Sequence, residues 1–488
     1  MRFSKLPDLR AATEPESPCI ADADTALTNM EFQFRVLAAA GVLTSQGVRE
    51  GDVVAVMLPN QVEFAVAMFA AWRLGAAVTP INPGLTSKEA THQIVDSGAR
   101  LVVNSGGETV VPDVISLSAS DLKAAVTFSG PPSDAPEALA LLIYTSGTTG
   151  LPKGVMLSHA NIEAMAEMGR QSLKITDKDH CLLVLPLFHV NGIVVSILTP
   201  LLAGGRVTIR KRFDIKTFFD DIERLKPTYF SAVPTIYAHL NNLPESVRPD
   251  TSSVRYGICG AAPAPADLLR SFEARFGFPL VEGYGLSEGT CASTINPHDG
   301  VRKVGTVGLP FVGQRIAIAD SKGQHLPAGE IGEVLVQGPN VMRGYLGKPE
   351  ETAKTVVNGW LHTGDMGRID GDGYLSIVGR FKEMIIRGGE NIYPKEIEDV
   401  LTEHPDVLEA AVIGVPHELF GEVVVAYVAR RQGAAGNLDA INAFCAQRLV
   451  RYKRPSAIEI LESLPRNAVG KVDKVKLKHL SKSQQAPL

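Results

Sequence analysis

The amino-acid sequence predicts an α/β protein. Largely parallel sheets packed with helices, plus a small β-barrel-like subdomain, make a large N-terminal domain, and a small mobile α+β domain closes the chain. Three observations carry that expectation. Over the first 260 residues, apolar runs of strand length alternate with longer stretches of helical spacing, the order that builds βαβ units. From about Gly305 the rhythm changes to short strands parted by glycine turns (RIAIAD, GEIGEVLVQG, GRIDGDGYLSIVG), which suits antiparallel or barrel-like pairing. After Arg380 it changes again, to helix, strand, strand, helix, strand, the content of one compact unit of roughly a hundred residues.

The elements follow in order. Residues 53–58 (VVAVML) are a β-branched strand, and 61–75 are a helix, since Phe64, Met68, Ala71 and Trp72 recur at helical spacing. Residues 77–81 and 87–97 repeat that order, and 100–103 add a strand. Strands are expected at 182–185 and 207–209, and a helix at 213–225, ended by Pro227. Buried strands follow at 228–233 and 255–259. Near the end, 396–401 and 438–449 read as helices, and 407–415, 422–430 and 457–461 as strands. The uncharged stretch 181–205 contains Pro186, His189, Asn191 and Pro200, so it reads as buried strand and helix rather than a membrane span.

Composition excludes several classes. A chain of 488 residues allows two to four domain-sized units of about 150 residues each. With 45% apolar and 21% charged residues it is neither disordered nor fibrous. The net charge of −5 lacks the basic excess of a nucleic-acid protein. Cys19, Cys181, Cys259, Cys291 and Cys445 are widely separated, with no CxxC pair, which argues against a zinc site or a disulfide framework and suits the cytoplasm. The N-terminus lacks the continuous apolar run of a secretory signal. Glycine (45) and proline (31) are somewhat enriched, so many turns and special backbone positions are expected.

The sharpest motif is residues 141–159, LLIYTSGTTGLPKGVMLSH. A strand runs into a loop holding Thr145, Ser146, Thr148 and Thr149 among Gly147, Gly150 and Gly154. Glycines let backbone N–H groups close around an anion, hydroxyls donate to phosphate oxygens, and Lys153 adds charge. Pro152 and Gly154 flank Lys153 and break the Walker spacing. The alternative is a surface Ser/Thr/Gly turn. YGLSE (284–288), TGD (363–365), GR (379–380), GGENIYP (388–394) and PRNAVGK (465–471) follow in order.

These six strings resemble the motifs of the adenylate-forming superfamily: acyl- and aryl-CoA synthetases, peptide-synthetase adenylation domains and luciferases. The resemblance spans about residues 52–471. It implies an ATP site in the phosphate loop, with Glu288 and Thr148 as ligands of Mg²⁺, an ion that prefers hard oxygen donors. Ser287 stands where the family often has Thr. Tyr284, with Gly285, Gly260, Ala261 and Ala262, looks like the adenine-binding wall. Asp365 would accept from ribose hydroxyls, and Arg380 would meet the ribose or a phosphate; taken alone, both also read as turn residues. Lys471 is the expected lysine of the adenylation step, neutralising charge at the α-phosphate; without its context it would be one of several tail lysines. The same string resembles a lysine acetylation site.

The family rotates its C-terminal domain about a residue matching Lys382, which implies domains at 1–381 and 382–488. Gly388 and Gly389 would then line a pantetheine tunnel, where a side chain would block the channel; an ordinary β-turn is the alternative. Phe420 matches an aromatic that stacks on the CoA adenine, and Arg454 is suited to a CoA phosphate. His189 stands where amino-acid adenylation domains usually carry Asp, and resembles the gate between acyl pocket and thiol tunnel; a satisfied structural histidine is the alternative. The cluster Arg206, Arg210, Lys211 and Arg212 reads as a solvated sheet edge, with CoA phosphate or lipid headgroup contact as outsiders.

The expected acid pocket comprises Val190, Tyr237, His239, Gly283 and Gly289. Malonate-activating relatives carry arginines at the positions of His239 and Gly283, so their absence favours a fatty or other monocarboxylic acid. His239 keeps a small dicarboxylate open. Only seventeen residues follow Lys471, with no carrier-protein domain among them, so free CoA is the expected acceptor. The expectation is therefore an AMP-forming acid–CoA ligase using ATP, Mg²⁺ and coenzyme A, with no nucleic-acid partner, no integral membrane segment and its oligomeric state open. The rivals are transfer to a carrier protein or an amine, and a silent nucleotide-binding regulator.

Overall fold

The computed structural model describes residues 2–123, 127–145, 152–431, 433–434, 437–466 and 472–484. The chain divides into two compact units. The first holds Met1–Ala264, Leu268–Ile316 and Leu335–His362; the second holds Pro265–Asp267, Ala317–Val334 and Thr363–Leu488.

Two sheets organise the first unit. One has seven strands, in the spatial order Gly344–Tyr345, Lys153–Ser158, Leu139–Thr145, Ala77–Pro80, Val53–Met57, Ala99–Asn104 and Ile115–Ser118. Its centre is parallel, but Leu139–Thr145 and Lys153–Ser158 run antiparallel, and Gly344–Tyr345 adds a further antiparallel edge. The other has nine strands, with Arg206–Ile209, His180–Leu183, Tyr229–Ala232, Tyr256–Cys259 and Leu280–Tyr284 parallel at its centre. The expected alternation is thus realised as parallel cores with antiparallel edges.

Every residue of helix Val62–Arg73 is buried; its two charged residues are paired, Glu63 with Arg35 and Lys123 and Arg73 with Asp8, as charges enclosed beside a core must be. Phe64, Phe69 and Trp72 pack in the main core cluster with strand residues of both sheets. The indole N–H of Trp72 donates to the Ala140 carbonyl at 2.8 Å, so its one polar atom is satisfied. Capping boxes start the helices Ser87–Asp96 (Thr86 with Glu89) and His159–Ser172 (Ser158 with Asn161).

Some boundaries differ from the expectation. The helix foreseen at 213–225 begins only at Phe218; Phe213 instead packs its ring against Phe218, 5.6 Å between centroids. It ends at Lys226, which turns left-handed at φ 50° ahead of Pro227. Strands Pro18–Ala21 and Ala26–Thr28 and helix Asn29–Ser45 had no counterpart in the sequence reading. Pro18–Ala21 is a short strand whose parallel partner, Arg206–Ile209, lies far along the chain. Stretch 181–205 is strand His180–Leu183 followed by helical turns from Val190 to Leu202, widened to a π-type turn over Val194–Leu198. No helix among the described residues is long and apolar enough to cross a membrane.

In the second unit, Gly421–Arg430 pairs antiparallel with Val407–His417 and parallel with Ala457–Leu461. Ile385–Arg387 joins Gly421–Arg430, and Glu390–Ile392 closes the edge. Helices Pro394–Thr402 and Leu438–Arg448 cover one face, where Ile397, Leu401, Ile441 and Cys445 meet Val424, Ala426 and Val428. The alternate residues Val423, Val425 and Tyr427 pack with Leu464 and Leu477 on the other.

Candidate active site

Ser146, Gly147, Thr148, Thr149, Gly150 and Lys471 lie outside the described residues. The two feet of the phosphate loop are described. Thr145 and Lys153 are register partners at the end of the antiparallel pair, so the strands bring both ends of the loop side by side. One foot is held laterally: the Tyr144 hydroxyl donates to Asp96 at 2.7 Å, and its ring meets His92 edge-on. Burial, then the bond to Asp96, keeps that phenol protonated.

Lys153 forms an ion pair with Glu351, and its ammonium lies 5.3 Å from the centroid of the Tyr345 ring. The Tyr345 hydroxyl in turn donates to Glu288 Oε1 at 2.9 Å. The structure therefore brings Lys153 and Glu288 to either side of Tyr345 and sets Glu351 against Lys153; the sequence reading missed both Tyr345 and Glu351. Burial, followed by the Glu288 charge, raises the Tyr345 pKa, so its hydroxyl remains a donor.

Glu288 sits in the single 3₁₀ turn Ser287–Gly289, after strand Leu280–Tyr284. Its backbone carbonyl accepts from Met342 N at 2.8 Å. Thr290 and Cys291 then adopt φ of 53° and 100°, a conformation disfavoured for residues with a side chain. Asn340 holds this bend: its side-chain N–H donates to Gly289 O at 2.8 Å, and its carbonyl accepts from the buried Thr290 hydroxyl. Gly285 is required sterically, since a Cβ there would lie 2.0 Å from the Cys291 carbonyl oxygen.

Strands Tyr256–Cys259 and Leu280–Tyr284 are parallel neighbours, so Gly260–Ala262 and Tyr284 emerge at the same carboxyl edge. Ligands of open α/β sheets bind at such an edge. Ala261 takes φ 66°, and a Cβ on Gly260 would lie in ordinary contact, 3.4 Å from the Gly283 carbonyl oxygen. The buried Glu282, also missed, accepts from Ala264 N at 3.1 Å and fastens this loop.

The expected acid-pocket residues differ in exposure and local role. Gly283 pairs with Ile295, where a Cβ would come within 3.0 Å of the Thr294 carbonyl oxygen. Gly289 and Val190 are buried. Tyr237 is wholly buried; its hydroxyl donates to Ile258 O at 2.8 Å and its ring meets Phe272 edge-on. His239, on the same helix Pro234–Asn241, is exposed. His189 is half-buried against Phe188, 4.6 Å between ring centroids, just ahead of the helical turn Val190–Ile193.

In the second unit, Asp365 and Arg380 are opposed in register on the antiparallel strands Trp360–Ile369 and Leu375–Arg380. Arg380 Nε donates to the buried Asp365 carboxylate at 2.8 Å. Lys382 is exposed in the turn Phe381–Glu383. Gly388 and Gly389, at φ 60° and 89°, are the two central residues of a hairpin turn closed by the pair Arg387–Glu390. Two successive positive φ angles are what such a turn demands, so the β-turn is realised here.

Phe420 is 45% exposed, and its carbonyl accepts from Gly388 N at 2.8 Å. Its ring packs on His417, and the Arg387 guanidinium lies 5.5 Å from its centroid. Arg454 donates to the carbonyls of Leu449 and Ala446 at 2.9 and 2.7 Å, closing the end of helix Leu438–Arg448. The cation beside Phe420 is thus Arg387, which the sequence reading did not single out. The described residues on either side of the segment that carries Lys471 are each fastened. Arg466 bridges to Val472 and pairs with Glu409, while Lys474 pairs with Glu383 and Glu398 at 2.6 and 2.8 Å.

Comparison with known proteins identifies the family. The family model for "AMP-binding enzyme" matches residues 8–346, and that for "AMP-binding enzyme C-terminal domain" matches 396–471. The chain is 37% identical to the feruloyl-CoA synthase of Amycolatopsis sp over 476 residues, covering 96% of each chain. It is also 37% identical to the sulfoacetate–CoA ligase of Cupriavidus necator over 495 residues, with 96% of each covered. Among solved structures, O-succinylbenzoate coenzyme A synthetase from Bacillus subtilis, in complex with ATP and magnesium ion, superposes with a TM-score of 0.89 at 32% identity, covering 97% of this chain and 99% of that one.

Proposed function

The chain belongs to the AMP-binding enzyme family, and from that premise we propose that it is an ATP- and Mg²⁺-dependent acid–CoA ligase acting on a monocarboxylic acid. The observation that carries the reading is the grouping of Lys153 and Glu288 around Tyr345 at the foot of the phosphate loop. A cation is provided for phosphate, and a carboxylate with one oxygen already oriented stands beside it. That donor chemistry fits Mg²⁺, which takes carboxylate and phosphate oxygens; when bound, the ion would neutralise charge on the triphosphate.

In the first step a carboxylate oxygen of the acid attacks the α-phosphorus. The bond to the bridging oxygen breaks and pyrophosphate leaves. Lys153 holds phosphate oxygens, Lys471 offsets charge on the α-phosphate as the attack develops, and Tyr284 with Gly260 receives the base. Asp365 and Arg380 hold the ribose. In the second step the CoA thiolate attacks the acyl carbonyl, the tetrahedral adduct collapses, and AMP leaves as the thioester forms. Lys382 serves as the hinge between the two steps, Gly388 and Gly389 pass the pantetheine arm, Phe420 meets the CoA adenine, and His189 gates the thiol. Five free, buried cysteines support a reducing cytoplasmic setting.

The case for a monocarboxylate rests on Gly283 and His239, neither of which supplies the fixed cation that a buried second carboxylate needs. The alternatives are a small dicarboxylate, and transfer to a carrier protein or an amine. Pyrophosphate release over a panel of fatty, aromatic and dicarboxylic acids, with and without CoA, tests the proposal. CoA-dependent turnover is expected with a monocarboxylate. No ATP–pyrophosphate exchange with any acid would overturn the enzymatic reading, and exclusive turnover of a dicarboxylate would overturn the substrate class.

A further inference from the structure

Among the described residues, Tyr345 touches both charged groups assigned above to the triphosphate and its cation. Its hydroxyl meets Glu288 Oε1 at 2.9 Å, and its ring lies beneath Lys153, 5.3 Å from ammonium to centroid. Its backbone is held from two sides. Tyr345 pairs with Val155 in the strand that begins at Lys153. Its N–H donates to Thr352 Oγ1 at 2.9 Å, and the next residue, Leu346, donates to Gly154 O at 2.8 Å. Glu288, by contrast, stands on a single 3₁₀ turn, and a carboxylate there has freedom to rotate about its last torsions.

We propose that Tyr345 is a positioning residue for the nucleotide–metal site: its hydroxyl fixes the rotamer of Glu288, and its ring fixes the height of Lys153. One Glu288 oxygen accepts the hydrogen bond of the phenol, which leaves the other carboxylate oxygen to face a divalent cation. The ring offers Lys153 a platform whose attraction is electrostatic and does not consume an N–H. The two charges are thereby set apart by the width of one phenol, and neither is neutralised by direct pairing with the other. This inference rests on the assignment of Glu288 to the metal.

The hydroxyl and the ring are separable. Tyr345→Phe keeps the ring and removes the donor; Tyr345→Leu removes both. The measurement is ATP binding by calorimetry to the full-length protein, without acid or CoA, over a series of Mg²⁺ concentrations that includes EDTA. Loss of a hydrogen bond to a charged group is worth on the order of tenfold in affinity. Tyr345→Phe is expected to raise the Mg²⁺ concentration giving half-maximal enhancement of ATP binding by about tenfold, with ATP affinity in EDTA within about twofold of the parent. Tyr345→Leu is expected to weaken binding in EDTA as well, because Lys153 loses its platform.

Glu288→Gln separates this inference from the reading on which it rests. If Glu288→Gln abolishes the Mg²⁺ enhancement but Tyr345→Phe leaves it unchanged, Tyr345 does not position the carboxylate and the proposal falls alone. If Glu288→Gln also leaves the Mg²⁺ dependence unchanged, the metal assignment falls and takes the proposal with it. Equal weakening by Tyr345→Phe with and without Mg²⁺ would mark a merely structural residue and likewise overturn it.

Discussion

At the scale of single residues, the phosphate-loop lysine is already engaged. Lys153 pairs with Glu351, whose pKa is lowered first of all by its hydrogen bond to that lysine, so the carboxylate is charged near neutrality. An incoming triphosphate competes with this carboxylate for the ammonium. Glu351→Gln is therefore expected to tighten ATP binding in the absence of Mg²⁺, by about two- to fivefold, the range of an exposed ion pair. Weaker binding in that variant would mean that Glu351 orients the lysine rather than competing for it. Neither Glu351 nor Tyr345 was legible in the sequence. Lys153, Glu288, Asp365 and Arg380 stood out because their local strings are unusual, whereas Tyr345 and Glu351 matter only through partners 57 and 198 positions away.

At the scale of elements, backbone geometry explains residues whose types were read as functional. The turn between Ile385–Arg387 and Glu390–Ile392 needs positive φ at Gly388 and Gly389, whatever passes over it. A Cβ on Gly389 meets nothing within 4 Å, so Gly389→Ala carries only backbone strain, roughly 1–2 kcal/mol. If pantetheine passes here, that variant slows thioester formation from supplied acyl-adenylate by about tenfold or more, while pyrophosphate release from acid and ATP is within twofold of the parent. Equal effects on both half-reactions would leave the pair as turn residues alone. Strand and helix cores were legible from apolar spacing. The antiparallel return from Leu139–Thr145 to Lys153–Ser158 was not, because the residues at the loop's feet look alike whether the chain turns back or runs on.

At the scale of the whole molecule, two buried histidines of the first unit set a pH limit on stability. Burial, followed by the charge of Arg2, pushes His159 down to about 4; burial, followed by Arg206, does the same for His180. Both are then neutral in the fold until the pH nears 4, while in the unfolded chain they take up protons below about 6.5. Stability is unaffected above that value and falls as the pH drops through the window from about 6.5 to 4, by at most about 3 kcal/mol for each histidine. Urea midpoints measured between pH 7 and 4.5 should show this loss, and His180→Gln should flatten its share of the slope. A parallel decline in that variant would remove His180 from the account. The sequence by itself determined the α/β alternation, the helix at Val62–Arg73 and the residue types for phosphate chemistry, because these follow from periodicity and composition within a few neighbouring residues. Only the tertiary structure decided that Tyr345 stands between Lys153 and Glu288, that Arg387 rather than Arg454 accompanies Phe420, and that Tyr237 turns into the core. Those outcomes depend on strand order and register across hundreds of residues, where one shift in pairing exchanges every neighbour a side chain has.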